Sequence, residues 1–271
     1  MDKIKPVKKL GQNFLRDKNI LRRIADAAEL TGDDAVLEIG TGTGNLTKYL
    51  CEKAKFVYTV EKDAGLCKVA QGNLKNYKNI EIVCGDILKI NVGAIHELPL
   101  RLKIVGNLPY YITTPIIFHL LNQRRYINDI IIMIQKEVAQ RIVARPGGKD
   151  YGILSCSAQF YTKPEILFHI SKGKFYPQPK VDSALLRLKI LEKPAVAVKD
   201  EEKFLKVIKA AFGQRRKTLL NSLSAGLKLK RVEVESVLQK CSIDPKRRAE
   251  TLSLAEFAKI ANMLALLSFS L

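Results

Sequence analysis

The chain has 271 residues, 47% of them hydrophobic and 27% charged, with a formal net charge of +19 at pH 7. That length allows one full hydrophobic core and a small second domain, and the composition is ordinary for a soluble globular protein. The excess of 46 Lys and Arg over 27 Asp and Glu favours an anionic partner, of which nucleic acid is the commonest.

Five cysteines, at 51, 67, 84, 156 and 241, form no Cys-x-x-Cys pair, and only three histidines are present to help them bind a metal. Neither a zinc site nor a disulfide framework is expected, and a reducing interior fits best. Met1-Asp2-Lys3-Ile4-Lys5-Pro6 lacks the apolar core of a signal peptide. No apolar run approaches the roughly 20 residues that span a bilayer. A cytoplasmic protein with no membrane partner is expected. No heptad seam is visible, so a monomer is the default.

In chain order, short apolar runs rich in β-branched residues alternate with amphipathic segments. Residues 36–39, 56–60, 80–83, 102–105 and 130–134 predict strands, and residues 45–53 and 64–74 predict helices. This alternation predicts an α/β fold with a doubly wound, mostly parallel sheet. Runs at 166–170 and 184–191 predict further strands at one edge. The pattern changes at Glu192-Lys193-Pro194, after which only helical periodicity remains. A first domain over 1–191 and a small all-helical domain over 192–271 follow, with Asp200, Asp244 and Ser253 as helix caps or near-caps.

The first predicted strand runs into Gly40-Thr41-Gly42-Thr43-Gly44-Asn45. Glycines let a backbone turn tightly at a helix N-terminus and approach a ligand closely. Glu61 ends the next strand about 20 residues on, where an acid can bind both ribose hydroxyls of an adenosine cofactor. Asp86 follows the third strand and can accept from an adenine amine; its competing role is a turn or helix cap. A dinucleotide fingerprint needs Gly-x-Gly-x-x-Gly, whereas here Asn45 holds the sixth place. The closer spacing suits a cofactor without a pyrophosphate and disfavours a nicotinamide oxidoreductase; it resembles the S-adenosylmethionine turn of Rossmann-like methyltransferases.

The fourth strand delivers Gly106-Asn107-Leu108-Pro109-Tyr110-Tyr111 to its carboxyl end. An Asn side chain and carbonyls beside a proline accept hydrogen bonds from an exocyclic amine, and an aromatic ring stacks on a base. That combination suggests chemistry on a nucleobase.

Four segments resemble the small-subunit ribosomal RNA adenine dimethyltransferases: Lys9-Leu10-Gly11-Gln12-Asn13-Phe14-Leu15, Asn107-Leu108-Pro109-Tyr110, the stretch from Phe175-Tyr176-Pro177 to Ser183, and Phe212-Gly213-Gln214-Arg215-Arg216-Lys217-Thr218-Leu219. The likeness spans about residues 8–262. It implies a Rossmann-like methyltransferase domain with a helical RNA-binding domain. It implies cofactor contacts from Asn13, Leu15, Gly40, Gly42, Glu61, Asp86 and Asn107. It also implies methyl transfer to N6 of two adjacent adenosines near the 3′ end of the RNA, with a role in small-subunit biogenesis.

Asn107, Leu108, Pro109 and Tyr110 would hold the flipped adenine, with Phe175 as a second stacking ring. Ordinary core packing is the competing reading for both rings. Residues 1–23 carry eight Lys or Arg against two Asp, and residues 192–271 carry sixteen basic against nine acidic side chains. Arg215, Arg216, Lys217, Arg247 and Arg248 are the expected RNA contacts, with solvated helix faces or caps as the bland alternative. No metal and no DNA partner is expected. Two other functions stay open: a large-subunit adenine dimethylase of the macrolide-resistance type, and an assembly factor acting mainly by RNA binding.

Overall fold

The computed structural model describes residues 6–7, 11–95, 102–214 and 216–267. They fall into two compact units, one of residues 1–139 and 163–190, the other of residues 140–162 and 191–271. The break expected after residue 191 lies close to where the first unit ends. Residues 140–162, however, group with the C-terminal helices rather than with the residues flanking them in sequence.

The first unit opens with the short strand β1 (Phe14–Leu15) and helix α1 (Lys18–Ala27), capped by Asp17. Then follow β2 (Ala35–Ile39), α2 (Thr47–Cys51), β3 (Phe56–Glu61), α3 (Ala64–Asn73), β4 (Ile80–Cys84), β5 (Leu102–Asn107), α4 (Thr113–Asn122) and β6 (Ile127–Gln135). Helix α5 (Lys136–Val143) and helix α6 (Ile153–Tyr161) come next, and β7 (Thr162–Ile170), β8 (Phe175–Tyr176) and β9 (Ser183–Ile190) close the sheet region. The seven-stranded sheet has the order β4-β3-β2-β5-β6-β9-β7. Strands β4 to β6 pair in parallel along this order, and β9 is antiparallel to β6. Of the two late strands expected at one edge, β7 takes the edge and β9 lies inside it.

Central strands are apolar throughout because helices cover both faces of a parallel sheet. All five residues of β2 are buried, Glu38 among them. The order reverses beside β2, whose neighbours are β3 and β5, and ligands of open α/β sheets bind at the carboxyl ends of strands at such a point. Gly106 brings β5 in close there. It pairs with Ile39, and a Cβ at this position would lie 2.6 Å from the Ile39 carbonyl oxygen. No side chain fits, so Asn107 is carried directly beside the glycine turn.

Cys67 on α3 and Cys84 at the end of β4 are joined in a disulfide, with Cα atoms 6.1 Å apart. It is a single link and not the disulfide framework that the sequence argued against. Packing of α3 on β4, not any short sequence spacing, brings the two together. Cys51, Cys156 and Cys241 are free and buried.

The second unit is helical apart from the first residue of β7. It contains α6 and then α7 (Glu201–Phe212), α8 (Leu219–Leu227), α9 (Arg231–Lys240) and α10 (Leu254–Leu266). Aromatic pairs form its core, with ring centroids 4.4 Å apart for Phe160–Phe204 and 5.8 Å for Phe212–Phe257. Asp200 caps α7 through the Lys203 amide, and Ser253 caps α10 with Glu256 in a reciprocal box. Asp244 caps no α-helix; its carboxylate accepts from the Lys246 amide in the turn after α9.

Candidate functional site

A cleft of about 800 Å³, part of it open to solvent, lies at the carboxyl ends of the first unit's strands. Residues from five separate stretches line it: Asn13 and its neighbours, the glycine turn, Val60 to Lys62, the Gly85-Asp86-Ile87 corner, and the loop from Asn107 to Ile112. Strand-end loops converge because the parallel strands all point the same way.

Gly40, Gly42 and Gly44 have φ of +83°, +55° and +82°. Three left-handed residues in five need glycine, and they fold the backbone back at the mouth of α2. Glu61 fixes this turn. One carboxylate oxygen accepts from the Gly42 amide at 2.9 Å and the other from the Asp63 amide at 2.9 Å. The side chain is thus 8% exposed and locked, not a solvated acid at a strand end.

Asp86 combines both roles considered for it. It lines the cleft, and it caps the short 3₁₀ turn Ile87–Lys89 through the Leu88 amide. Its other oxygen pairs with Lys62 Nζ at 2.8 Å, and this bond holds the Asp86 carboxyl below and the Lys62 ammonium above their ordinary pKa values. Lys62 itself lines the cleft, a contact missed in the sequence although it directly follows Glu61.

Asn107 ends β5. Its side-chain NH₂ donates to the Asn13 carbonyl at 3.0 Å, so its Oδ1 is the side chain's acceptor in the cleft. Leu108 is buried, with its amide bonded to the Met133 carbonyl at 3.0 Å. The Pro109 carbonyl is already taken, by the Ile112 amide and the Thr113 hydroxyl. Of the two carbonyls considered in the sequence, Leu108's is therefore the one available to an amine. Tyr110 lies half buried in the cleft with its hydroxyl 2.6 Å from Ser183 Oγ, and the neighbouring Tyr111, 52% exposed, also lines the cleft.

The N-terminal segment is tied over the same space. Gln12, not anticipated from the sequence, donates to Asp63 at 2.9 Å while accepting from the Val7 amide at 2.8 Å. Gly11, Gln12, Asn13 and Phe14 all line the cleft. Leu15 does not; it borders an adjoining smaller cavity that shares Phe14, Gly40, Gly42 and Asn107.

Phe175 is the principal departure. It is 5% exposed, packs in the apolar core with Leu15 and Ile170, and is not part of the cleft lining. The register of β1 with β8 explains this, because Leu15 pairs with Phe175 and both side chains fall on the inward face. Core packing wins at this position. Phe175 and Tyr176 together form the short strand β8.

A profile of the family described as ribosomal RNA adenine dimethylase matches residues 3–266. The chain belongs to the ribosomal RNA adenine dimethylase family. Among relatives of this family member, a "Ribosomal RNA small subunit methyltransferase A" of Geobacillus thermodenitrificans is 47% identical over 265 residues, covering 95% of this chain and 90% of the relative. One of Clostridium botulinum is 45% identical, covering 94% and 92%. A dimethyladenosine transferase from Plasmodium falciparum superposes with TM-score 0.79 at 27% identity, over 91% of this chain and 95% of that one. The 23S rRNA methyltransferase ErmE superposes with TM-score 0.70 at 29% identity, over 93% and 99%. Both superpositions cover more of this chain than its first unit.

Of the expected RNA contacts, Arg216, Lys217 and Arg248 are exposed on the helical unit of this dimethylase, and Arg215 lies outside the described residues. Arg247 is spent within the fold. Its guanidinium forms an ion pair with Glu256 and donates to the Thr251 carbonyl at 2.7 Å, which makes it a tie between the turn before α10 and that helix.

Proposed function

We propose that this dimethylase moves methyl groups from S-adenosylmethionine to N6 of two adjacent adenosines near the 3′ end of small-subunit ribosomal RNA, giving N6,N6-dimethyladenosine during subunit assembly. The observation that carries the reading is Asn107. Its amide is oriented by Asn13 so that Oδ1, with the Leu108 carbonyl beside it, offers two acceptors to one amine.

The cleft fits an adenosine cofactor. Glu61 keeps lone pairs for ribose hydroxyls while its backbone bonds hold it still, Asp86 stands ready for an adenine amine, and Gly40 and Gly42 let the backbone come close. S-adenosylmethionine, when bound, supplies an electrophilic methyl group on a good leaving group. The chain's residues do the rest. The N6 lone pair of adenine is delocalised into the ring, and hydrogen bonds to Asn107 Oδ1 and the Leu108 carbonyl localise it. Tyr110 stacks on the flipped base, contributing roughly 1–3 kcal/mol. Positioning for in-line attack lowers the barrier, and no strong base is required because the proton leaves to water afterwards.

The higher identity to small-subunit enzymes than to ErmE supports the small-subunit substrate. The protein acts as a monomer in the cytoplasm under this reading; no described helix is long and apolar enough to cross a membrane. Incubation with labelled S-adenosylmethionine and unmethylated small subunits, followed by nucleoside analysis, should yield dimethyladenosine in the small-subunit RNA. Label confined to large-subunit RNA, or no dimethyladenosine at all, would overturn the proposal.

A further inference from the structure

The β1–β8 ribbon carries an aromatic ring that the chemistry above does not use. Phe14 pairs with Tyr176, and Leu15 with Phe175. Opposite residues in a ladder share a face, and successive residues alternate. Leu15 and Phe175 take the inward face, each 5% exposed. Phe14 and Tyr176 therefore share the other. Phe14 on that face lines the cleft, where its ring would meet a Cβ on Gly42 at 3.6 Å. Tyr176 stands beside it and is 49% exposed.

The Arg16 guanidinium carbon lies 4.1 Å from the Tyr176 ring centroid, and the side chain is still half exposed. The ribbon's surroundings are basic. Lys172, Lys174 and Lys180 are exposed in the same stretch. Asp17 is tied to Lys174 at 2.7 Å, and Asp182 accepts from the Lys172 amide. A half-exposed ring backed by a cation, in basic surroundings beside a cleft for a flipped base, fits an unpaired nucleobase.

We propose that Tyr176, backed by Arg16, stacks the nucleotide next to the adenine held at Asn107. This rests on the RNA-methylation reading above. Flipping a base deprives its neighbour of a stacking partner, and a fixed ring on the protein replaces it. Arg16 holds the ring in place and neutralises a nearby phosphate. Stacking of this kind tolerates any base, so the platform adds affinity and register, not sequence choice.

The test uses the full chain, unmethylated small subunits, and a single-stranded RNA with 2-aminopurine next to the target adenine. Tyr176→Ala and Tyr176→Leu should each weaken RNA binding about tenfold and abolish the stacking quench, since leucine packs but has no π-face. Tyr176→Phe should stay within about twofold of wild type. S-adenosylmethionine affinity and melting temperature should be unchanged for Tyr176→Leu and Tyr176→Phe. Wild-type RNA affinity in Tyr176→Leu would overturn the proposal. So would a loss of RNA binding matched by equal losses of cofactor affinity and stability. A wild-type protein that neither binds the RNA nor methylates it would overturn the underlying reading instead, whatever Tyr176 does.

Discussion

Asn107 and Glu38 are both buried or half-buried polar residues at strand ends, but they act at different depths. Asn107 reaches the cleft, and removing its amide takes away an acceptor that matters most when N6 develops charge. Asn107→Ala should lower methyl transfer about a hundredfold while RNA affinity stays near wild type. Equal losses in both measurements would show a binding role only. Glu38 lies one layer below. It is fully buried, accepting from Thr47 at 2.6 Å and Thr59 at 3.0 Å, and Thr59 in turn meets Thr41 of the glycine turn. Burial pushes its carboxyl up from 4.5 to about 8, so it folds as the neutral acid. A raised folded value means that its contribution to stability is fully present below the ordinary carboxylate range and is lost as pH rises through about 8. Thermal melts between pH about 6 and about 9 should fall for the wild type and flatten for Glu38→Gln. Parallel slopes would show that Glu38 is not the titrating group.

At the scale of elements, what the sequence made legible was what has a period or an obligatory residue. The strands ending at Ile39, Glu61, Cys84 and Asn107 are long enough for their apolar runs to declare them, and the glycine turn needs its glycines for positive φ. The β1–β8 ribbon was not legible, because two residues cannot display an alternation, and the parity that sends Phe175 inward is set by its distant partner Leu15. Arg247 was misjudged for a related reason: its partner Glu256 lies on another element, and a run of basic residues looks the same whether free or paired. The close approach of β5 to β2 was also silent in sequence, since Gly106 has an ordinary backbone and is required only by what faces it. Gly106→Ala should force the two strands apart, costing about 1–3 kcal/mol. Because Asn107 follows immediately, transfer should fall by about a hundredfold for a displacement near 1 Å. A melting curve and a rate both close to wild type would show that β2 yields.

Across the whole molecule, the +19 charge is not one uniform field. Some cations are committed internally, such as Arg187, which bridges Asp129 and Glu29, and Arg247. Others, including Arg216, Lys217 and Arg248, face solvent. RNA affinity should fall steeply with salt, about 10³–10⁵-fold between about 50 and about 200 mM if six to ten phosphates are contacted. Charge removal at Lys217 or Arg248 should reduce that slope, whereas Arg247→Ala should lower the melting temperature first. A flat salt response would show that the exposed cations are only a solvated surface.

The bond from the Asn107 amide to the Asn13 carbonyl links the acceptor for the adenine amine to the segment lying over the cofactor cleft. Until that segment is in place, nothing among the described residues tells Asn107 which end of its amide to present. The acceptor for the second substrate is thus aimed by the same short segment that borders the seat of the first. Shortening the N-terminal segment past Asn13 should lower methyl transfer far more than RNA affinity, measured side by side; equal losses would show that Asn107 is aimed by something else.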